Sequence, residues 1–126
     1  MKTFVVSLMI AAVIITGSIC YDIYLKHITK DMNNFNQEII QAISDDNYEE
    51  AEQAIQRLFS FIDEKKIALA STMDHSSIDN IEKNLAELDA YVLGNQKIDA
   101  LAKCQIMHVL FDHFPKNYTL KLENIL

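Results

Sequence analysis

Two glycines and one proline in 126 residues leave little material for tight turns, which argues against a sheet protein. Tryptophan is absent, and cysteine is limited to Cys20 and Cys104. Only Cys104 lies beyond the apolar N-terminal run, so that region can form no internal disulfide and must be held by packing. There is no glycine-rich loop to cradle phosphate and no His-Glu-x-x-His pattern. Ser71, Ser76 and Ser77 lack the glycine context of a nucleophile elbow. The expectation is an all-α, non-enzymatic chain without a cofactor.

The most informative feature present is an uncharged run over residues 4–21. At 1.5 Å per helical residue it is about long enough to cross a ~30 Å hydrocarbon layer. Phe4, Val5, Val6, Leu8, Ile10, Val13, Ile14, Ile15 and Ile19 each favour insertion by roughly 0.3–0.6 kcal/mol. A cleavable signal has a similar layout. Lys2 supplies a basic start, and Thr16, Gly17 and Ser18 supply small residues. The apolar run nevertheless continues through Ile19, Cys20 and Tyr21, which favours a retained signal anchor. The expected division is a transmembrane helix over residues 1–25, meeting lipid through residues 3–25, and a helical domain over 26–126. Lys2 and the short N-terminal stub favour placing that domain outside the cell, while Lys26 and Lys30 pull the other way.

Lys2 and Asp22 cancel, so the formal charge of −7 belongs to the residues after 25. A domain of that sign is repelled by nucleic acid and by anionic lipid surfaces, and neither is expected as its partner. No block of like charge is long enough to read as a binding tail.

Apolar spacing predicts an up-and-down bundle of about four antiparallel helices. Tyr21, Leu25, Ile28, Met32, Phe35, Ile39 and Ala42 step by fours and threes, and this seam begins inside the apolar run. The span and the first bundle helix are therefore expected to form one rod. Asp45, Asp46 and Asn47 interrupt it. A second helix runs from Tyr48 to about residue 72, carrying Ala51, Ile55, Leu58 and Ile62, with Glu49, Glu50 and Glu52 near its positive end. A third carries Ile78, Ile81, Leu85, Leu88 and Val92 and stops at Gly94 and Asn95. A fourth runs from Gln96 to His113 with Ala100, Cys104, Met107, Phe111 and Phe114 in one row, and Pro115 is expected to end it. The second and fourth helices align at a shift of 49 residues, Ala51 with Ala100 and Ile62 with Phe111 among the matches. Either a duplicated helix pair or a chance match of two amphipathic helices accounts for this.

Among residues able to carry chemistry, His108 and Asp112 lie four apart, a spacing that metal ligands use. Asp74 and His75 precede the third helix and would join them in a metal site if the bundle folds back. The plainer reading is a capping aspartate and histidines near a helix C-terminus. Carboxylate pairs such as Asp45-Asp46 and Glu49-Glu50 fall at caps and in solvated stretches, whereas catalytic carboxylates need burial. Most aromatic residues fall on core stripes, but Phe61 lies off the seam of its helix and marks a second contact surface. The seam of the first helix exceeds what a small bundle needs. Ile28, Met32 and Phe35 are therefore candidates, with Phe61, for contact with a protein partner or a second copy.

Asn47, Tyr48, Glu49, Glu50 and Ala51 open the second helix. Met73, Asp74 and His75 precede Ile78, Asp79, Ile81 and Glu82. Leu85, Leu88, Tyr91 and Val92, then Leu110, His113, Phe114 and Pro115 follow, before a Leu122-to-Leu126 ending of Leu-Glu-Asn-Ile-Leu. In these residues the chain resembles the domain-of-unknown-function 4363 family from about Tyr48 onward. The resemblance implies a short chain of a spore-forming bacterium, with one N-terminal membrane segment, a helical remainder and no assigned activity. It draws attention to Asp74, His75, Asp79 and Glu82 as a polar corner. Phe59 and Phe61 stand where family members tend to carry tryptophan.

The expected function is a membrane-tethered helical module that binds a membrane or envelope protein, or itself. The alternative is an extracytoplasmic sensor using His75, Asp74, His108 or Asp112 for a metal or a proton, since histidine changes charge near neutral pH.

Overall fold

The protein is described by a computed structural model covering the backbone of residues 1–70 and 75–125 and the side chains of 1–69 and 76–112. It contains α1 (Lys2–Ser44), α2 (Tyr48–Ala70), α3 (His75–Leu93) and α4 (Lys97–Ile125), with no strand among the described residues. Helix α1 packs on α2 and α4, and α3 packs on the same two helices. The chain thus closes a four-helix ring in which each helix touches its sequence neighbours and α4 returns to α1. Contacts run antiparallel. On α1 and α2, Tyr21 Oη donates to the Ala68 carbonyl at 3.3 Å, Phe35 meets Phe61, and Glu38 meets Arg57. On α1 and α4, Asn33 meets His108, Asn36 meets Cys104, and the Ser44 carbonyl meets Lys97.

Helix α1 is one rod through apolar run and bundle, as its unbroken seam predicts. From Leu25 onward one face is buried, with Leu25, Ile28, Met32, Ile39 and Ile43 in the core. Before Tyr21 the helix touches no other element deeply enough to be covered. Phe4, Val5, Ile10, Val13, Ile14, Ile15 and Ile19 are all exposed, and none of the most apolar stretch is buried. This one helix is long and apolar enough to cross a membrane. The division expected at residue 25 therefore falls within a continuous helix, where the covered face begins.

The connections 45–47 and 94–96 are built alike. Asn47 N–H bonds to the Ala42 carbonyl and Asp46 N–H to that of Ile43; Gln96 N–H bonds to the Tyr91 carbonyl and Asn95 N–H to that of Val92. Both are Schellman-type ends, which satisfy otherwise orphaned carbonyls. Asp46 (φ 57°) and Asn95 (φ 54°) take the left-handed position, so Asn95 and not Gly94 makes the reversal at the second corner. Asn47 then caps α2: its Oδ1 accepts from the Glu50 N–H, and its Nδ2 donates to the Glu50 carboxylate.

The core repeats with the same offset as these corners. Thr29, Met32, Asn36, Ile39 and Ile43 are buried in α1, and Ile78, Ile81, Leu85, Leu88 and Val92 are buried 49 residues later in α3. Ala51, Ile55, Leu58 and Ile62 in α2 correspond likewise to Ala100, Cys104, Met107 and Phe111 in α4. The shift visible in α2 and α4 extends to the whole hairpin.

One boundary differs from the sequence expectation. Helix α4 does not stop at Pro115 but continues to Ile125. Proline removes one N–H and crowds the carbonyl four residues earlier, here that of Phe111, at a cost of about 3 kcal/mol. Downstream Leu120, Lys121, Leu122 and Glu123 are good helix formers that favour resuming the helix.

Candidate interaction surface

Helices α1 and α2 leave a shallow groove on their outer side. Phe35 and Phe61 face each other across it, ring centroids 5.4 Å apart and tilted by 49°. Both are half-buried, covered below by the core and open above. The Lys65 Nζ stands 5.8 Å from the Phe61 ring and 5.9 Å from that of Tyr24, within cation–π range. One recess of about 240 Å3 is bounded by Asp31, Asn34, Phe35, Glu38 and Phe61. A second, about 400 Å3, lies on the α2 side and adds Arg57, Ser60 and Glu64. Arg57 pairs with Glu38 at 3.6 Å, with both side chains more than half exposed, so the pair orients the rim and adds little stability. The result is an apolar aromatic floor with a charged edge.

Two of the four contact candidates read from the sequence are elsewhere. Ile28 and Met32 are 3% and 1% exposed, buried between α1 and its neighbours. A seam in sequence does not distinguish a bundle core from an oligomer seam, because both need the same spacing. Phe35 and Phe61 remain at the surface.

The proposed metal ligands do not converge among the described residues. His108 and Asp112 are exposed, and the His108 Nδ1 lies 3.1 Å from the Asn33 Oδ1, which directs the ring toward α1 and away from α3. Asp74 and the His75 side chain lie outside the described residues. No group of three potential ligands is found among those that are described. Of the polar corner before α3, Glu82 binds Lys66 of α2 at 3.1 Å and raises that lysine's pKa.

Sequence reasoning missed the burial of Asn36 and the Lys103 contact, whereas Cys104 lies in the core row where its spacing put it. Asn36 is fully buried in the α1 seam; its Nδ2 donates to the Cys104 carbonyl at 3.0 Å, while its Oδ1 has no donor among the described residues. The Cys104 thiol is pushed up to about 12 by burial, which keeps it protonated and inert. Lys103, only 13% exposed, holds Glu87 at 2.6 Å and Asn84 at 3.2 Å, and this contact lowers the Glu87 pKa. Burial raises that of neighbouring Asp89. The sequence signal for the first was an asparagine on an otherwise apolar stripe.

A family model described as Domain of unknown function (DUF4363) matches residues 20–125, taking in the bundle and beginning where the fully exposed apolar stretch ends. No curated protein and no solved structure matches the chain.

Proposed function

We propose that this chain, which belongs to the DUF4363 family, is a non-enzymatic, membrane-tethered helical module that presents its bundle to a membrane or envelope protein. The observation that carries the reading is α1, whose first turns expose large apolar side chains on all sides and which continues without a break into a packed, acidic bundle. Apolar surface of that extent is unfavourable in water and favourable in lipid. The tether lies in the cell membrane as a single span with the bundle outside. It raises the effective concentration of the bundle near other membrane proteins, so a small contact suffices. The Phe35 and Phe61 groove is the contact on the bundle, and the buried thiol of Cys104 takes no part in chemistry.

Three measurements test this. The full-length chain stays with membranes through alkaline extraction; recovery in the soluble fraction without detergent overturns the tether. Protease added to intact cells digests the bundle; full protection reverses the orientation. A photo-crosslinking residue in place of Phe61 captures a discrete heavier species in native membranes; a chain that remains uncaptured removes the groove from the reading.

A further inference from the structure

Ile67 is 87% exposed, two residues from Leu69, which lies in the core. It points away from the bundle, about 200° around α2 from that leucine. All the other exposed side chains described on α2 are polar, Arg57, Ser60, Asp63 and Glu64 among them. The one apolar exception falls at a particular height. Tyr21 Oη donates to the Ala68 carbonyl at 3.3 Å, and the Lys65 Nζ lies 5.9 Å from the centre of the Tyr24 ring. These two contacts set the last turns of α2 beside residues 21–24 of α1, where the uncharged run over residues 4–21 ends. On α1 the same level carries Ile23, 53% exposed, and Tyr24, 39% exposed, with the Tyr21 and Tyr24 ring centroids 6.3 Å apart.

We propose that this end of the bundle is seated in the headgroup layer of the bilayer that α1 spans, with Ile67 as its anchor beside Ile23 and Tyr24. The occupant follows from distance. Once residues 4–21 occupy the hydrocarbon, a headgroup layer of roughly 5–7 Å begins at Tyr21, and the hydrogen bond to Ala68 brings the last turns of α2 to it. The side chains suit that layer. Isoleucine sheds water on entering it, and tyrosine is enriched there because its ring is apolar and its hydroxyl polar. Charge does not oppose the contact. Asp45, Asp46, Glu49, Glu50, Glu52 and Asp99 gather around the two corners, about 36 Å further along α1 and well beyond the ~8 Å screening length. At the near end Lys26 pairs with Asp22 and Lys66 with Glu82, each at 3.1 Å, which neutralises two of the carboxylates there. The bundle therefore rests on the membrane instead of standing off it. This inference rests on the tethered reading above and adds a second lipid contact, outside α1.

The chain has no tryptophan, so a single introduced one reports alone. Ile67→Trp, Ser60→Trp and Ile15→Trp each replace an exposed residue, and helicity by circular dichroism is expected to stay unchanged. Ser60 lies on the same outer face of α2 as Ile67, two turns and about 10 Å further from the bilayer. Each full chain is reconstituted in phosphatidylcholine vesicles that contain phosphatidylcholine brominated in the upper part of its acyl chains. Ile67→Trp is expected to be quenched at least about threefold more strongly than Ser60→Trp, with its emission shifted to shorter wavelength. Equal quenching at the two α2 positions, alongside strong quenching of Ile15→Trp, overturns the seating and leaves the tether intact. Quenching of Ile67→Trp that requires anionic lipid assigns the contact to the lysines and overturns the apolar anchor. An Ile15→Trp chain that escapes quenching removes the tether and this inference together.

Discussion

The α1–α2 hairpin and the α3–α4 hairpin share their corners and core positions and differ in almost everything else. Both turn through a left-handed residue two positions before the next helix, Asp46 in one and Asn95 in the other. Both bury the same five positions before the corner and the same four after it. Where they part, the reason is local. Asn36 occupies the place of Leu85, the outer face of α2 is polar up to Ser60 where that of α4 is apolar at Ile98, Ile106 and Val109, and α1 carries an exposed apolar stretch ahead of its core row. The agreement marks what a helical hairpin requires; the differences mark what this chain adds.

The comparison breaks most severely if the buried positions are exchanged. Leu85→Asn removes a fully buried side chain and leaves an amide without partners, and is expected to cost about 4 kcal/mol in urea unfolding of the detergent-solubilised protein. A loss near zero would show that the two hairpins tolerate the polar residue equally. Next come the corners. Asn95→Val and Asp46→Val place a β-branched residue in left-handed backbone, and each is expected to cost about 1–2 kcal/mol; unequal losses would show that the corners are alike only in outline. Asn36→Leu relieves the unpaired Oδ1 and is expected to raise stability by about 1 kcal/mol. A comparable loss would mean that the amide is needed to fix the α1–α4 register.

The smallest effects are in the pH response of α3. The Glu87 pKa is lowered by Lys103, so the stability from that pair is full above the unfolded carboxylate pKa and fades as pH falls through the lowered value. The Asp89 pKa is raised by burial, so the penalty of its charge is present at neutral pH and disappears as pH falls through the raised value. Asp89→Asn is therefore expected to raise stability slightly at pH 7, by less than about 1 kcal/mol after solvent screening, and to leave it unchanged at pH 3, as read by thermal unfolding at the two pH values. A gain that persists at pH 3 would assign the effect to packing.

The helices, the continuous α1 and the core rows were legible because each depends on spacing, and spacing is written directly in the chain. The 49-residue shift was visible in α2 and α4 but not in the first and third helices, where Thr29 and Asn36 stand against Ile78 and Leu85 and hide the match. Helix continuation past Pro115 was hidden because a single strong breaker outweighs moderate formers locally. The division of the first seam into core Ile28 and Met32 and surface Phe35 depends on where α2 and α4 dock. The outer stripe of α4 was overlooked because a helix apolar on two sides has a weak amphipathic signal, which reads as noise until burial separates the two faces. His108 was expected near a helix C-terminus, but the continuation of α4 to Ile125 leaves it mid-helix, and its approach to Asn33 is a product of the α1–α4 register.

The continuity of α1 has a mechanical consequence. Its 43 residues form a shaft about 65 Å long, with no proline along it and no interruption between Cys20 and Leu25. The point where it can bend is the Gly17-Ser18 step, where Thr16 and Ser18 hydroxyls bond to the Ala12 and Ile14 carbonyls. A lean or twist of the bundle is therefore carried along one continuous helix into the greasy segment as far as that step.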